Sequence, residues 1–406
     1  MKKIRHRTVA LLDLHIGRAV LQLCAFLFPA PRPIPAGAQL RSIIVLKLWG
    51  IGSILEATPF LRALMQFYPG AKIDIFTFSE NQPIVEALNI FRRVHTVSLR
   101  GGTPPLFFQT MRFLLRQRGK YCLVIDLEFF SYFSTLVTRL LSSRYSLGFK
   151  GFYAARNRCY SRAVIFDHSS HVRSIFIKFL DALRMPEPSD LRLSIPQVPP
   201  EKKLGALRQF PSLSSPAPKV VVNINASELC LNRCWPQENF LTLVTYMQKD
   251  FRGLQIYLVG GKEDLPAVAS FYSRLEKKDG VYLACGELDL LEFTHALSFM
   301  DFFITNDSGP LHIAEAIGIP VVCFFGPETP NLYGPLSQRS IIFYRNLFCS
   351  PCLNTFNQKR TSCRDNQCLK LISPDEVYAR IKERMFIKNV PAVRKGEYPV
   401  DVKANS

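Results

Sequence analysis

Short apolar runs rich in β-branched residues alternate with helix-length segments along most of this 406-residue chain. Each run is bounded by glycine, proline or polar residues, which is the pattern of a buried strand. Strands are predicted over residues 42–48, 71–78, 94–99, 121–128, 220–226, 254–261, 302–307 and 319–326. Strands that alternate with helices pair in parallel, with helices covering both faces of the sheet. The pattern therefore predicts an α/β protein built on doubly wound parallel sheets.

A Ser- and Pro-rich stretch without periodicity, residues 211–219, interrupts this alternation near the middle of the chain. Such a stretch is typical of a linker, so we predict two Rossmann-like domains. The predicted regions are an N-terminal helix and linker at 1–37, a first domain at 38–210, a second domain at 211–385 and a basic tail at 386–406. Ligands of such sheets bind beyond the carboxyl ends of the strands, so we expect the ligand in a cleft there.

The charge of the chain predicts an anionic partner. There are 51 Lys and Arg against 32 Asp and Glu, a formal net charge of +19. Hydrophobic residues make up 48% of the chain, which excludes a wholly disordered protein. A positive excess fits nucleic acid, an anionic membrane or a phosphorylated substrate. No RRM, helix-turn-helix, KH or zinc-finger spacing is present, so nucleic-acid binding is not expected.

An apolar segment over residues 8–30 follows the basic N-terminus MKKIRHR. Asp13, His15 and Arg18 interrupt it, so it lacks the ~20 consecutive apolar residues that span a bilayer. No signal-peptide cleavage site follows it. We expect an amphipathic helix on the anionic cytoplasmic leaflet, which would make the protein cytoplasmic and peripheral on the inner membrane. A helix packed on the protein's own surface is the alternative.

The segment ITNDSGPLHIAEAIG, residues 304–318, combines a strand end, a tight turn and a helix N-terminus. Backbone N–H groups and the positive helix end at such a place suit a phosphate or pyrophosphate. Ser308 adds a hydroxyl and His312 a further donor, whereas Asp307 can accept hydrogen bonds from sugar hydroxyls. The alternative is an ordinary helix N-cap at the turn, with His312 as a structural histidine.

Two further elements point to a phosphorylated ligand. Arg233 stands just before Trp235 and Pro236 at a helix start, where a guanidinium can clamp a phosphate. Gly50 and Gly52 follow the first strand and let the backbone approach a ligand. Their spacing is neither a complete GxGxxG nor a P-loop. A surface arginine and an ordinary loop are the alternatives.

Together, in this order and spacing, the three elements resemble glycosyltransferase family 9, the ADP-heptose:lipopolysaccharide heptosyltransferases. The resemblance extends from about Ser42 to Val377. DSGPLHIAEAIGIPVVCFFGP is its most specific part, supported by GSILEATPFLRAL, RYSLGF and the Trp-Pro element. It implies a GT-B fold, with two Rossmann-like domains facing a central cleft. It also implies acceptor binding by the first domain, nucleotide-sugar binding by the second, and a metal-independent inverting transfer.

The resemblance also implies roles for individual residues at the donor site. Arg233 would contact the donor phosphates, Glu292 would hold the nucleoside ribose, and Gly52 matches the glycine of the N-terminal loop. The donor loop that binds sugar and pyrophosphate is matched by Asp307, Ser308, Gly309 and His312. None of these roles requires a cofactor for catalysis.

One position departs from the family pattern. After the loop glycine the family usually has Asp, which looks like the general base for the acceptor hydroxyl, but this chain has Ser53. A serine hydroxyl is not basic near neutral pH. Glu56, one turn further on, and Glu128, at the end of the fourth strand, are the candidate replacements, and Asp126 is expected to face the other side of that strand. Reduced or lost activity is the remaining alternative.

Four cysteines cluster near the C-terminus at Cys349, Cys352, Cys363 and Cys368. A CxxC pair followed by two more cysteines within ~20 residues is a plausible tetrahedral thiolate site, and we expect a structural zinc ion there. An iron–sulfur cluster is less favoured, because no feature of the sequence indicates redox chemistry. Two local disulfides, or reduced thiols in a loop, are the alternatives.

The sequence thus predicts a bacterial inverting glycosyltransferase at the inner membrane. It would move heptose or a related sugar from a nucleoside-diphosphate donor, such as ADP-heptose, to a lipid-linked acceptor of the lipopolysaccharide core or another envelope glycan. The alternative is a non-catalytic nucleotide-sugar or lipid-binding homologue that has lost the usual base at Ser53.

Overall fold

The computed structural model describes residues 13, 17–27, 30–100, 102–129, 131–151, 154–226, 230–354, 357, 359 and 361–385. The predicted basic N-terminus at 1–7 and the predicted basic tail at 386–406 lie outside these residues. The chain divides into an N-terminal unit that ends at Ser194 and a C-terminal unit that begins at Ile195.

A six-stranded parallel sheet forms the centre of the N-terminal unit. Its strands are β1 (Ser42–Leu46), β2 (Lys72–Phe78), β3 (Arg93–Val97), β4 (Leu123–Asp126), β5 (Tyr145–Phe149) and β6 (Arg162–Val164). Their order in the sheet is β3-β2-β1-β4-β5-β6, with Ile44 of β1 opposite both Asp74 and Val124. The strand order therefore reverses between β1 and β4, as in a doubly wound sheet.

Helices connect these strands and cover the sheet. They are α1 (Arg18–Leu27), α2 (Ile51–Glu56), α3 (Thr58–Phe67), α4 (Gln82–Ala87), α5 (Thr103–Gln117), α6 (Tyr132–Leu140), α7 (Ala154–Asn157) and α8 (Val172–Leu183). Phe113 of α5 and Val137 of α6 belong to one buried cluster with Ile44 and Phe76 of the sheet. Parallel strands buried on both faces account for the nearly continuous apolar runs in the sequence.

Helix α1 is packed on the N-terminal unit by its inner face. Leu21 is buried against Tyr132 of α6 and against Cys159. Its outer face exposes Leu23 and Phe26, which are 57% and 84% accessible. The inner face agrees with a helix packed on the protein's own surface, and contact of the outer face with a membrane stays a prediction. None of the described helices is long and apolar enough to span a bilayer.

Asp13, which interrupts the apolar pattern of the N-terminal segment, caps helix α6. Its two carboxylate oxygens accept the N–H groups of Tyr132, at 3.0 Å, and Phe133, at 2.6 Å. Burial raises the pKa of Asp13 to about 6, although these hydrogen bonds oppose the increase. The acidic residue is thus explained by a buried capping role rather than by exposure to solvent.

The C-terminal unit repeats the same topology. Its strands are β7 (Lys219–Asn223), β8 (Gln255–Leu258), β9 (Val281–Leu283), β10 (Phe302–Asn306), β11 (Val321–Phe325) and β12 (Ile341–Tyr344), in the order β12-β11-β10-β7-β8-β9. Its helices are α9 (Pro200–Gln209), α10 (Gln237–Asp250), α11 (Leu265–Ser273), α12 (Leu290–Leu297), α13 (Gly309–Ala316), α14 (Pro330–Tyr333), α15 (Gln367–Lys370) and α16 (Pro374–Met385). The strand order reverses between β7 and β10, which corresponds to β1 and β4 in the first sheet.

The boundary between the units lies before α9 rather than at the predicted linker 211–219. Helix α9 packs on α12, and Lys202 of α9 forms an ion pair with Asp289 at the start of α12. Residues 200–209 therefore belong to the C-terminal unit, although the sequence assigned them to the first domain. The Ser/Pro stretch is a connection within the second unit, between α9 and β7.

Candidate functional site

The reversal of strand order marks one place in each sheet where a ligand can approach the carboxyl ends of the strands. In the N-terminal unit this place is flanked by the loop at Gly50, after β1, and by Glu128, after β4. In the C-terminal unit it is flanked by Arg233, after β7, and Asp307, after β10. These four residues thus lie where the topology of each sheet favours ligand binding.

Glu128 is fully buried, and one of its carboxylate oxygens carries three hydrogen bonds. Glu128 Oε1 accepts from Lys47 Nζ at 2.8 Å and from the N–H groups of Leu48 and Trp49 at 2.7 and 2.9 Å. Among the described residues, Oε2 has no hydrogen-bond partner. A buried carboxylate oxygen without a partner costs folding free energy, which is characteristic of functional sites. Lys47, which the sequence analysis did not single out, fixes the carboxylate through Oε1.

The backbone around Glu128 is held by a buried polar network. Asp126 accepts from Tyr160 Oη at 2.6 Å and from the Glu128 N–H at 3.0 Å. Arg156 donates to the carbonyl of Phe129 at 2.9 Å and to that of Glu128. Burial raises the pKa of Asp126 to about 6, against the opposing effect of Arg156. Asp126 therefore orders the loop after β4 through Tyr160 and the Glu128 N–H.

Glu56, the second candidate base, is also fully buried but is part of a different cluster. Its Oε2 accepts from Arg173 Nε at 2.8 Å, and its Oε1 accepts from Arg173 Nη2 at 3.2 Å. His171 Nδ1 lies 3.9 Å from Oε2 and also accepts the Arg173 N–H at the start of α8. This two-point ion pair joins α2 to α8, which gives Glu56 a structural explanation.

Ser53 stands in the first turn of α2, near the Glu128 cluster. Its hydroxyl donates to the Trp49 carbonyl at 3.3 Å, and the Trp49 N–H donates to Glu128. Gly50, which precedes the helix, has φ of +80°, a conformation that favours glycine. Gly52 is buried within the helix. Trp49 thus connects Ser53 with Glu128, whereas Glu56 is held by α8.

In the C-terminal unit, the predicted donor loop is a strand–turn–helix junction. Asp307 follows β10, Ser308 is the N-cap of α13, and the helix begins at Gly309 with His312 buried in its first turn. The Ser308 hydroxyl makes no capping hydrogen bond to the helix and lies 3.0 Å from Thr305 Oγ1. The positive end of α13 is therefore not capped by its own N-cap side chain, as an anion site requires.

Four charged side chains converge beside this junction. Arg233 Nε lies 3.4 Å from Asp307 Oδ2, and Arg233 Nη2 lies 3.9 Å from Glu328 Oε2. Lys359 Nζ forms an ion pair with the same Glu328 oxygen and lies 4.5 Å from the centre of the Tyr333 ring. Burial raises the pKa of Glu328 and lowers that of Lys359. We call these four residues, Arg233, Asp307, Glu328 and Lys359, the charged cluster.

Asn306 fixes the position of Arg233 relative to the donor loop. Its Oδ1 accepts the N–H of Trp235 at 2.8 Å, and its Nδ2 donates to the carbonyls of Ile224 and Asn225. Trp235 is fully buried, and its ring stacks on Phe324 of β11. The segment that carries Arg233 is therefore anchored both by a polar contact and by the core of the sheet.

Glu292 lies at the start of α12, apart from the charged cluster. It forms a capping box with Asp289, in which each carboxylate accepts the other residue's N–H, at 2.9 and 3.0 Å. Lys202 of α9 lies 3.6 Å from Glu292 Oε1. The side chain is mostly buried at the carboxyl-end side of β9, and its proposed ribose contact remains a prediction.

The four C-terminal cysteines lie in residues 349–368, which we call the cysteine segment. All eleven cysteines of the chain are free thiols, so the disulfide alternative is not seen. Cys368 is buried, which raises its pKa to about 11, and Cys352, Cys363 and Cys349 are near enough to add to that increase. Asn232 donates to the Cys363 carbonyl at 2.6 Å, which fastens this segment beside Arg233.

Several residues of these clusters were missed by the sequence analysis, namely Lys47, Glu328, Lys359 and Asn306. Glu328 could have been found from the sequence, because it follows a predicted strand directly in FFGPETP, at the carboxyl edge where ligands bind. Lys359 had no such pattern, since it stands between cysteines and follows no predicted strand directly.

Comparison with known proteins places the chain in a family. The family model of glycosyltransferase family 9 (heptosyltransferase) matches residues 112–361. Lipopolysaccharide heptosyltransferase 3 of Escherichia coli K12 is 26% identical over 84% of this chain and 97% of that protein. Lipooligosaccharide heptosyltransferase 2 of Campylobacter jejuni is 30% identical over 30% of this chain, a match that spans only 38% of that protein. These named relatives are bacterial.

Solved structures show the same fold. A glycosyl transferase family 9 protein from Veillonella parvula superposes with a TM-score of 0.70 at 21% identity, over 85% of this chain and 97% of that one. The ADP-heptose lps heptosyltransferase II of E. coli gives a TM-score of 0.65 at 20% identity, over 85% and 98%. The matches favour an enzyme over the non-catalytic homologue considered above. The chain belongs to glycosyltransferase family 9, the heptosyltransferase family, and is a glycosyltransferase of the GT-B fold class.

Proposed function

We propose that the protein transfers heptose or a related sugar, with inversion, from a nucleoside-diphosphate donor to a lipid-linked acceptor of the lipopolysaccharide core or another envelope glycan. The observation that carries the proposal is Arg233, with its Nε atom buried, beside the uncapped start of α13, at the carboxyl ends of β7 and β10. ADP-heptose is the donor named for the E. coli heptosyltransferase II that this fold resembles.

The donor diphosphate is proposed to bind the C-terminal unit at Arg233 and at the start of α13. Arg233 Nε is buried and has no hydrogen-bond partner among the described residues, although Asp307 lies 3.4 Å away. A phosphate oxygen would supply the missing acceptor. When the bond from the anomeric carbon to the diphosphate breaks, negative charge develops on the leaving group. The guanidinium and the helix end stabilise that charge.

Ser308, Gly309, His312 and Asp307 are proposed to complete the donor site. The first three lie at the start of α13, where a phosphate is expected, and Asp307 accepts hydrogen bonds from sugar hydroxyls. Glu292, at the start of α12, is the proposed ribose contact, and Gly52, which is buried in α2 and matches the family's N-terminal loop glycine, is a further proposed donor contact.

Glu128 is the proposed general base, and Glu56 is the less favoured candidate. Both oxygens of Glu56 are occupied by Arg173, whereas Glu128 keeps Oε2 without a partner among the described residues. The acceptor hydroxyl would give its proton to Glu128 Oε2 while its oxygen attacks the anomeric carbon, a single displacement that inverts the configuration. Because Glu128 is buried, its Oε2 must become accessible when the acceptor binds.

Transfer is tested directly with purified protein, ADP-heptose and a bacterial membrane fraction that contains incomplete core acceptor. The expected result is release of ADP together with a glycolipid enlarged by one sugar, measured by mass spectrometry. Binding of nucleotide without any enlargement of an acceptor, across a panel of nucleotide-sugars, would contradict the proposed transfer.

Helix α1 is proposed to rest on the anionic surface of the inner membrane through Leu23 and Phe26. Replacing both residues by serine should lower co-sedimentation with vesicles that contain anionic lipid, because it removes the apolar side chains that would enter the interface. Phe348→Ser is a matched control, since Phe348 is fully exposed in the C-terminal unit. Equal binding by the double variant and the control would contradict the role of α1.

The cysteine segment is proposed to hold a structural zinc ion through Cys349, Cys352, Cys363 and Cys368. Their thiols are free, and a set of four thiolates is a donor set that zinc prefers, although among the described residues no three of these sulfur atoms lie within 4.8 Å of one another. Elemental analysis should find about one zinc per chain, and removal by a chelator should lower the melting temperature. If iron is found instead of zinc, the cysteines bind a metal but the prediction of zinc is wrong. If no metal is found, the predicted metal site is wrong.

A further inference from the structure

We infer that Lys359, from the cysteine segment, is a second cationic ligand of the donor diphosphate beside Arg233. Glu328 would hold its ammonium group at the site until the donor binds. This inference rests on the proposed function, which assigns the diphosphate to Arg233. It goes further because it gives the cysteine segment a part in donor recognition.

The topology brings the members of the charged cluster to one edge of the second sheet. Asp307 follows β10, Glu328 follows β11, and the segment that carries Lys359 follows β12. These strands are consecutive in the order β12-β11-β10-β7, and Arg233 comes after β7. Each of four neighbouring strands is therefore followed in sequence by one member of the charged cluster. Ligands of such sheets bind at this edge, beyond the carboxyl ends of the strands.

A single carboxylate oxygen lies close to both cations of the cluster. Glu328 Oε2 forms an ion pair with Lys359 Nζ and is 3.9 Å from Arg233 Nη2. A phosphate oxygen bound by an ammonium and a guanidinium group occupies the same kind of position. Glu328 therefore occupies, in the free protein, the place that a phosphate oxygen would take between Lys359 and Arg233.

The cluster is costly to bury and remains incompletely hydrogen-bonded. Glu328 is 1% exposed and Lys359 11%, and burial disfavours the charged form of each. Arg233 also disfavours the charge of Lys359, because the two cations are close together. Within the described part of the chain, Arg233 Nε and Asp307 Oδ2 are buried without a hydrogen-bond partner. An anionic ligand would offset the repulsion between the cations and provide acceptors for Arg233.

A diphosphate fits these groups better than a single phosphate does. Arg233 lies beside Asp307, and Asp307 directly precedes Ser308 at the start of α13. Arg233 and the helix start can therefore both contact one phosphoryl group. Lys359 is paired with Glu328 Oε2, which lies 3.9 Å from Arg233 Nη2, so its ammonium group can take an oxygen of the next phosphoryl group. The expected ligand class is therefore a nucleoside diphosphate, whose second phosphate forms an ion pair with Lys359.

The test compares Lys359→Met with wild type by isothermal titration, with ADP and AMP as the probes. We expect the Kd for ADP to rise by about 10- to 100-fold, because a buried charge-assisted contact is lost. The Kd for AMP should change little, and Lys359→Arg should restore most of the ADP affinity. Lys370→Met is the matched control, because Lys370 is exposed, pairs with Asp365 and lies outside the cluster.

The outcomes separate this inference from the proposed function. If wild type does not bind ADP, the proposed donor site is wrong. If wild type binds ADP and Lys359→Met binds it equally well, the donor site stands and the role of Lys359 is overturned. If Lys359→Met does not fold, Glu328→Gln decides the matter. This variant releases Lys359 and removes a competing anion, so ADP should bind more tightly, and unchanged or weaker binding would overturn the inference.

Discussion

Glu128→Gln should lower kcat by ~100- to 10,000-fold, the range over which a general base contributes. The substitution keeps the size of the side chain and leaves an oxygen to accept from Leu48 and Trp49, but the amide takes up no proton. Because Glu128 is also ion-paired with the buried Lys47, the melting temperature should fall as well, so kcat is compared per folded molecule. Steady-state transfer kinetics at saturating donor, together with thermal unfolding, measure the two effects separately.

Glu56→Gln is the control for this experiment, because Glu56 is equally buried and is paired with Arg173. Loss of the carboxylate leaves the Arg173 guanidinium without its ion pair, so the free energy of unfolding should fall by ~3–5 kcal/mol. The kcat of the folded protein should stay close to that of wild type. The reverse result, with kcat retained in Glu128→Gln and lost in Glu56→Gln, would transfer the role of base to Glu56.

Arg233→Met should raise the Kd for the nucleoside-diphosphate donor by about 10- to 100-fold, since hydrogen bonds to charged groups contribute ~1.5–3 kcal/mol. The value of kcat should fall as well, because the guanidinium also stabilises charge that develops as the diphosphate leaves. Arg233→Lys should retain part of the affinity, as it keeps the charge but loses the two-point geometry. Titration of ADP and single-turnover transfer measure the two effects.

The control for Arg233 is Arg274→Met, which removes an exposed arginine that pairs with Glu238 elsewhere in the C-terminal unit. Its donor affinity should equal that of wild type. Donor affinity that is the same in Arg233→Met as in Arg274→Met would show that the diphosphate binds elsewhere.

Hydrophobic periodicity was sufficient to predict the central strands of both sheets. The sequence analysis missed β5, β6, β9 and β12, which are the outer strands on one side or the other. Strand β6, with the sequence RAV, and β9, with VYL, are three residues long, which is too short for a periodic pattern. Strand β5 contains Ser146 and Gly148 and does not form an apolar run.

Long-range pairing explains what the sequence analysis could not assign. Glu56 is close in sequence to Ser53, so a catalytic interpretation was reasonable, but its partner Arg173 is 117 residues away. Glu128 and Lys47 are separated by 81 residues. The polarity of each residue was evident, whereas the choice of partner depends on which strands are neighbours. Glycine spacing and the strand–turn–helix pattern are local, and for this reason the junction at Asp307 and Ser308 could be located, whereas its donor-binding role stays a prediction.

The cap that Asp13 provides for α6 ties the beginning of the chain to the loop that carries Glu128. Helix α6 starts at Tyr132, only a few residues after Glu128, so both ends of this short stretch are fixed by buried polar contacts. Deletion of residues 1–27 would remove this cap together with the exposed Leu23 and Phe26. The segment at Asp13 therefore stabilises the N-terminal unit, and its deletion should lower the stability of that unit as well as any membrane binding.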